Sequence, residues 1–371
     1  MSTLAAPAFR SAVASASSWQ AAMGSVLQAL GKPDPAHNLG FVYVTDFHAA
    51  DLSDIIIFLR QTTGIAHWVG TVGIGVVGSG AEFYDRPALS VLLAALPQDG
   101  FSIFADAQTL ARGGGVDSVA PVLIVHADPA VPDLQTMLAD LSRSSDGFLI
   151  GGLSASRGAE LQVAGGVHSG TVSGVAIALE GQPLATGLSQ GCTAIGPTHR
   201  VTRAIRNVIL ELDGRPALDV FREDIGPTLA EDMARLGGLI LVGLVQEDVD
   251  RGEYLVRNLV GIDLEHKAMA IGDLVQEGQG LVFCKRDQEA AVADFRRMLK
   301  DLKRRAGGRV PKGGLYISCA ARGPNQFAAT TRETTLIAEE FGDMPLTGFF
   351  ANGEISRDRL YGYTGILTLF L

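Results

Sequence analysis

The sequence contains little cysteine and few basic residues, and it lacks a long uninterrupted apolar run. Its three cysteines, Cys192, Cys284 and Cys319, are an odd number and widely spaced, so they indicate neither a disulfide framework nor a CxxC pair. Thirty Lys and Arg residues against 40 Asp and Glu leave a net charge of −10, which disfavours nucleic acid as a partner. No window supplies the roughly 20 apolar residues of a membrane-spanning helix. These absences predict a cytoplasmic protein without a membrane span.

Motifs of the common enzyme classes are also missing. The chain has no P-loop, HExxH or GxSxG motif, and no two of its seven histidines have the helical spacing of a zinc site. The run Gly73-Ile-Gly75-Val-Val-Gly78 matches GxGxxG, but it lies in a β-branched stretch followed by a turn. That context favours a glycine-rich strand and hairpin over a dinucleotide site. We therefore expect a protein that is not an enzyme and has no metal or cofactor.

The residues that are present predict a large core divided between domains. Apolar residues make up 47% of the chain and 45 residues are glycine, which indicates a buried core with many tight turns. At about 150 residues per domain, 371 residues predict two or three domains. Residues 1–30 form an Ala- and Ser-rich leader with helical spacing over 17–30. The strongest amphipathic helix is predicted at Asp287–Arg305.

A block of strand, helix, strand, loop and strand recurs three times along the chain. The first strands of the three copies are predicted at Phe41–Thr45, Val122–His126 and Leu315–Cys319. Since such a block buries one face against its siblings, we predict an α/β (mixed α+β) fold. Its two domains would contain mixed β-sheets built from these repeated strand-helix-strand-strand units.

Three polar loop clusters follow strands of these copies. They are Ser154 with Ser156 and Arg157, then Arg322-Gly323 beside Cys319, and finally Asn352-Gly353-Glu354. If the copies pack edge to edge, the loops converge on one cleft. There an arginine would bind a carboxylate, while Asn and Glu would bind an ammonium group. The alternative is a set of ordinary hairpins, because Asn-Gly is a favoured turn dipeptide.

The same segments resemble the FIST family. Ser189–Pro197 and Glu211–Leu218 are similar to the end of a FIST N-terminal domain, and Leu315–Gly323 and Pro345–Ile355 are similar to a FIST C-terminal domain. The resemblance covers about residues 30–371. It implies a FIST N-terminal domain over 31–222 and a FIST C-terminal domain over 223–371.

This resemblance implies a sensory module that binds small ligands, amino acids among them. Related domains occur with chemotaxis transducers, histidine kinases and cyclic-dinucleotide enzymes, and we expect this chain to signal to such a separate partner. The family pattern maps onto Arg322 with Gly323 and onto Asn352, Gly353 and Glu354. One departure is an Ala in the segment 319–322 where many relatives have Asn, which would change the choice of ligand.

The leading hypothesis is a non-catalytic sensor of a small polar metabolite such as an amino acid. Its expected ligand-binding residues are Arg322, Gly323, Asn352, Gly353, Glu354, Cys319, Ser154 and Ser156. A second hypothesis is a haem-dependent nitric-oxide sensor that uses His168 or His199 as the iron ligand. A third is a hydrolase with Cys319 or Ser154 as nucleophile, and a fourth is a scaffold that bridges partners.

Overall fold

The computed structural model describes residues 8–112, 120–180, 184–227, 238–245 and 254–371. The helices are α1 (Trp19–Leu30), α2 (Leu52–Thr63), α3 (Ala107–Arg112), α4 (Leu134–Ser145), α5 (Ala217–Ile225), α6 (Gln288–Ala306) and α7 (Glu333–Phe341). The first thirteen strands are β1 (Phe9–Ser15), β2 (Leu39–Thr45), β3 (His67–Gly73), β4 (Gly75–Gly78), β5 (Ala81–Tyr84), β6 (Ala88–Ala94), β7 (Phe101–Phe104), β8 (Val122–Ala127), β9 (Phe148–Leu153), β10 (Gln162–Ala164), β11 (Val167–His168), β12 (Val172–Ile177) and β13 (Leu184–Gln190). The others are β14 (Cys192–Ala194), β15 (His199–Ile205), β16 (Val208–Leu212), β17 (Arg215–Pro216), β18 (Ile240–Val245), β19 (Tyr254–Asp263), β20 (Ala268–Ile271), β21 (Gly280–Arg286), β22 (Gly313–Cys319), β23 (Leu346–Ala351), β24 (Glu354–Ser356), β25 (Arg359–Tyr361) and β26 (Thr364–Phe370).

The chain divides into two compact units, and the mixed α+β class predicted from the sequence is confirmed. Unit 1 takes Met1–Ser189, Phe295–Leu360 and Thr364–Leu371, and unit 2 takes Gln190–Asp294 and Tyr361–Tyr363. Unit 1 is thus built from both ends of the chain. Within the described ranges, no helix combines the length and apolarity needed to cross a membrane.

Unit 1 contains the three predicted copies as three six-stranded sheets. In each copy the first two strands are parallel and joined by a helix, and the last strand is antiparallel to the first. The sheet orders are β1-β6-β2-β3-β10-β11, then β7-β12-β8-β9-β24-β25, and β13-β26-β22-β23-β4-β5. One apolar cluster draws side chains from all three sheets, among them Phe41, Ile124 and Phe349. The three copies therefore share a single core.

Each copy sends a hairpin into the sheet of another copy. The hairpin strand β4 of copy one pairs with β23 of copy three, β10 of copy two pairs with β3 of copy one, and β24 of copy three pairs with β9 of copy two. The glycine-rich strand and hairpin predicted at 73–78 is confirmed. It is the hairpin of β4 and β5, through which copy one takes part in this exchange. β1, which the sequence did not predict within residues 1–30, extends the first sheet beside β6.

One glycine in each copy lets the parallel strands approach closely. Gly70, Gly151 and Gly348 lie opposite Val42, Val125 and Tyr316 in equivalent registers. A Cβ atom at these glycines would lie 1.7–1.9 Å from the carbonyl oxygen of the opposite residue. Only glycine fits such a close approach. The three glycines therefore mark equivalent positions, which allows the copies to be compared residue by residue.

In each copy, the residue that follows this glycine and the residues paired with it on the neighbouring strands form one row. The row crosses four strands of the sheet, and its residues are buried and face the core. The rows are Gln162, Thr71, Tyr43 and Ser90 in the first sheet, Glu354, Gly152, His126 and Ser173 in the second, and Val76, Phe349, Ile317 and Ile366 in the third. Two rows are polar and one is apolar. A 3.1 Å hydrogen bond between Tyr43 Oη and His126 Nε2 joins the polar rows. Burial lowers the pKa of His126 to about 3, so its imidazole is neutral.

The described residues of unit 2 form an antiparallel barrel with helix α5 packed against its strands. β21, β15, β16, β20, β19 and β18 pair in that order, and β18 closes the circle by pairing with β21. Phe221 of α5 is fully buried and packs against Phe283 of β21, with ring centres 4.9 Å apart. The amphipathic helix predicted at Asp287–Arg305 is confirmed as α6, whose residues from Phe295 onward belong to unit 1.

The glycine contacts can be tested with a matched pair of variants. Gly348→Ala should lower the free energy of unfolding by about 3 kcal/mol or more, because the new methyl group overlaps the Tyr316 carbonyl oxygen. Gly24→Ala is the control, since Gly24 lies in α1 with no atom within 4 Å of the added Cβ. It should stabilise the helix by up to about 1 kcal/mol. Urea denaturation measures both effects, and equal midpoints would contradict the close approach.

Candidate functional site

The three predicted loop clusters come together at one edge of unit 1. Leu153, at the end of β9, donates its N–H to Gly353 O at 2.9 Å, and Asn352 N–H donates to Leu153 O at 3.2 Å. Ala320, which follows β22, donates its N–H to Ala351 O at 2.8 Å. The loops after β9, β22 and β23 are therefore neighbours, because parallel strands end at the same edge of a sheet. We call this edge the loop site.

Glu354 lies beneath the loop site and is fully buried. Its Oε2 accepts hydrogen bonds from the N–H of Thr364 at 3.1 Å and from the Thr364 hydroxyl at 2.8 Å. Its Oε1 has no hydrogen-bond partner of standard geometry among the described residues, although the Cys319 thiol also forms a hydrogen bond with this carboxyl group. Burial raises the pKa of Glu354 to about 8, although Thr364, Arg322 and the neighbouring Cys319 thiol each act to lower it. At neutral pH this carboxyl group is mostly protonated.

Arg322 and Glu333 form an ion pair that is closed to solvent. Arg322 Nε and Nη2 both lie 2.8 Å from Glu333 Oε1, and both side chains are 0% exposed. Glu333 also accepts hydrogen bonds from the Tyr316 hydroxyl and, at 2.9 Å, from the Ser318 hydroxyl. The Arg322 guanidinium packs over the ring of Phe327, 5.0 Å from its centre. The arginine thus already binds a carboxylate and packs on the rings of Phe327 and Phe295.

This arrangement corrects the role expected for Arg322. Side chains alternate between the two faces of a strand, so Tyr316 and Ser318 of β22 lie on one face and Cys319 lies on the other. Because Glu333 binds Tyr316 and Ser318, the ion pair lies on the face opposite to Cys319. Arg322 fixes the start of its loop and does not present its guanidinium to a ligand carboxylate. Gly323 has a turn role, since its φ of 53° and its contact with Phe350 leave no room for a side chain.

Arg157 is the arginine that the loop site presents to solvent. Its Nε lies 2.6 Å from Asp46 Oδ2 and its Nη1 lies 2.7 Å from Asp85 Oδ1. The guanidinium also stacks over Phe47, 4.9 Å from the ring centre. The hydrogen bonds that Arg157 donates to both carboxylates raise its pKa. Arg157 therefore ties together the loops that follow β2, β5 and β9.

Ser154 is buried inside a polar cluster and not exposed as a nucleophile. It exchanges a 2.7 Å hydrogen bond with the Thr71 hydroxyl and accepts one of 2.6 Å from Gln162 Nε2. No histidine is among these partners, so the geometry does not provide the base that a serine hydrolase needs. Gln162 Oε1 has no partner in the described structure. Ser156 donates its N–H to Glu160 Oε1 at 3.2 Å, which shapes the loop.

Several residues of the loop site carry no sequence signal. Asp46, Asp85, Glu160 and Gln162 belong to no motif. Gln162 reaches the site because β10 pairs with β3 of another copy, and Asp46 and Asp85 are joined to it by their ion pairs with Arg157. Tyr84 is a further example, since its hydroxyl donates to Ala320 O at 2.6 Å. Four of these five residues carry a carboxylate or amide oxygen that accepts hydrogen bonds at neutral pH, so they share one kind of binding chemistry.

The histidines considered as haem ligands have other contacts. His199 Nδ1 lies 2.7 Å from Asp213 Oδ2, and His199 Nε2 lies 2.8 Å from Asp224 Oδ2. A ring whose two nitrogens both bind carboxylates has no nitrogen left for iron. His168 Nε2 lies 3.3 Å from Ala164 O. Among the residues that the structure describes, no group of three or more His, Cys, Asp or Glu is arranged to hold a metal ion.

Two surface cavities lie outside the loop site. One of about 410 Å³ opens between α3 and α4 and is lined by Met137, Leu141 and Asp133. A smaller one of about 220 Å³ lies between α7 and the turn at Gly80. Neither is lined by Glu354, Cys319 or Arg157. The loop site is favoured over both because it holds buried polar atoms that lack partners, and such atoms are rare in native proteins.

Comparison with known proteins matches most of the chain to two family models. The FIST N domain model matches residues 38–215 and the FIST C domain model matches residues 217–357. An uncharacterized protein of Mycobacterium tuberculosis is 29% identical over 348 residues, which cover 87% of this chain and 88% of the relative. An uncharacterized protein of Mycobacterium bovis is 28% identical over the same shares of the two chains.

The buried ion pair predicts a large difference between two arginines. Arg322→Ala should lower the free energy of unfolding by about 3–5 kcal/mol, because Glu333 is left as an uncompensated buried charge. Arg296→Ala is the control, since its pair with Glu339 is about half exposed. It should change the free energy by less than about 1 kcal/mol. Denaturant titration of both variants checks this, and similar losses would contradict the buried pair.

The contacts of His199 predict a pH dependence for unit 2. Burial acts to lower its pKa, but the hydrogen bonds that the protonated ring donates to Asp213 and Asp224, together with their charges, outweigh burial and raise it. The stabilisation is therefore fully present below an ordinary histidine pKa of about 6.5 and is lost as pH rises through the raised value. His199→Asn should remove this part of the pH dependence. Thermal unfolding followed from pH 6 to 9 measures it, with exposed His67→Asn as the control.

Proposed function

Because this chain belongs to the FIST family, whose domains are described as small-ligand sensory domains of signal transduction, we propose that it senses a small polar metabolite. The metabolite class that we propose is the amino acids and their close relatives. The ligand binds at the loop site of unit 1, and the protein then signals to a separate protein. A histidine kinase, a chemotaxis component and a cyclic-dinucleotide enzyme are the partner classes that we propose.

One observation supports this assignment most strongly. Glu354 places an unpartnered carboxyl oxygen beneath loops from two different copies, with no solvent access in the described structure. Leaving a buried polar atom unpaired costs about 1–3 kcal/mol, so a bound molecule that supplies the missing hydrogen bond is favoured at this position. Ligand-binding proteins commonly hold a ligand in this way, with a few convergent polar groups that fix its orientation.

The arrangement also connects ligand binding to a change in structure. Arg157 bridges Asp46 and Asp85 across the mouth of the loop site, and Asn352 is exposed beside it. A ligand that contacts these side chains competes with their present ion pairs. Because the pairs join loops of different copies, the ligand shifts the balance between two loop arrangements, which is what a sensor requires.

A thermal-shift screen tests the proposed function. Haem-free protein is heated with each of the common amino acids and related metabolites, with haemin included as a separate sample. A ligand present at 100 times its Kd adds about 2.7 kcal/mol to the free energy of unfolding. This should raise Tm by several degrees in a domain of this size.

Two variants connect a positive result to the loop site. Asn352→Ala should remove most of the Tm increase without unfolding the protein, because Asn352 is exposed. Gln28→Ala, which removes an exposed amide of α1, should leave the increase unchanged. A response to haemin alone would favour the gas-sensor hypothesis, and no response to any sample would overturn the proposed function.

A further inference from the structure

Three unpartnered oxygens border one short segment of the loop site. They are Glu354 Oε1, Gln162 Oε1 and Glu160 Oε2. Glu354 pairs with Gly152 across β24 and β9, Gln162 binds the Ser154 hydroxyl, and Glu160 binds the N–H of Ser156. Each of the three residues therefore pairs with or binds a residue of the segment 152–156. Glu354 and Gln162 are 0% exposed, so water in bulk solvent does not supply their missing hydrogen bonds.

All three unpartnered atoms can accept hydrogen bonds. The amide oxygen of Gln162 does so in its present form, and a carboxyl oxygen that carries a proton does so once that proton is lost. A carboxylate accepts only, and the amide oxygen of Gln162 accepts while its nitrogen already donates to Ser154. The surrounding charges have the same preference. Burial is the main cause that raises the pKa of Glu160, and the charges of Asp128 and Asp46 raise it further. Other negative groups therefore lie close to Glu160. The site therefore favours a partner with N–H donors and positive charge.

The two arginines of the site do not offset this preference. Arg157 is bound by Asp46 and Asp85, and Arg322 is bound by Glu333. A ligand carboxylate would need to displace one of these pairs before it met a guanidinium. A ligand ammonium group meets the unpartnered oxygens, and displaces the Glu354 proton, before it competes with either ion pair.

We infer that the ligand is a small organic cation, a primary amine or a guanidine, whose N–H groups bind Glu354 with Gln162 and Glu160 as further acceptors. This inference rests on the proposed function and narrows its ligand class. An amino acid bound here is held through its amino group or a basic side chain and not through its carboxylate.

Binding of such a cation is coupled to release of a proton. The protonated Glu354 carboxyl group loses its proton to the buffer and becomes a carboxylate, and the ligand ammonium group keeps its own protons and forms the ion pair. The charged and titratable groups around Glu354 are Arg322 and Cys319, with Glu333 and Tyr316 bound behind Arg322. Arg322 already favours the carboxylate, and the ligand adds a second positive charge. Affinity for the cation therefore increases as pH rises from 6 to 8.

Matched probes with opposite charge test this inference. Ethanolamine is compared with glycolate, and putrescine with succinate, by thermal shift at pH 7. The amines should raise Tm and the acids should not. Calorimetry of amine binding in phosphate and in HEPES, which differ in ionisation enthalpy, should show release of close to one proton per ligand. Because this measurement uses the unmodified chain, it does not depend on any variant folding.

Glu354→Gln identifies the acceptor. The substitution keeps the shape of the side chain, and it should weaken amine binding by about tenfold or more and abolish proton release. Glu339→Gln, at an exposed carboxylate of α7, should change neither. Binding of acids or neutral metabolites without amines would overturn the cation inference and leave the sensor proposal standing. Amine binding without proton release would overturn the role of Glu354, and silence from all metabolites would overturn both proposals.

Discussion

The exchange of hairpins between copies is the constraint on which the rest of unit 1 depends. β24 is only three residues long, yet its pairing with β9 places Glu354 in the sheet of a different copy. The same exchange brings Gln162 beside Thr71. Without it, each copy would be an open four-stranded sheet with an unprotected edge, and such edges are prone to aggregation. The exchange therefore both closes the edges and assembles the loop site from different parts of the chain.

Strand and helix positions could be predicted from the sequence because each copy repeats the same burial pattern. A short β-branched run, an amphipathic helix and a second apolar run recur, and the structure has β8, α4 and β9 where the pattern indicates them. The exchange could not be predicted in this way. Strands of three residues such as β10 have no measurable periodicity, and their pairing is decided by tertiary packing. β1 was missed for a related reason, since Ala and Ser favour strands weakly.

The sequence leaves open whether the loops converge, and the structure places them side by side, whereas the buried ion pair of Arg322 disfavours its expected role as the carboxylate-binding residue. Position after a strand indicates where a side chain emerges, but it does not indicate what the side chain meets. Arg322 meets Glu333, eleven residues later on α7, and this ion pair depends on how α7 packs against β22. Glu354 is indicated by the sequence because its polar loop follows a predicted strand and matches the family pattern. Gln162 offered no signal at all, because a single glutamine in a polar segment is unremarkable until β10 pairs with β3.

The core of unit 1 also shows where symmetry between the copies has been broken. If the copies were equivalent, the three central rows would be equally apolar, as the row of Val76, Phe349, Ile317 and Ile366 is. The other two rows instead bury polar side chains, and two neighbours in one of them, His126 and Ser173, each keep an unpartnered atom. Such burial lowers stability unless something compensates for it. Glu354 and Gln162 lie at the ends of these two polar rows, at the loop site. Polarity in this core is therefore confined to the two rows that end at the proposed ligand site, whereas the third row, which ends at Val76 and Ile366, is apolar.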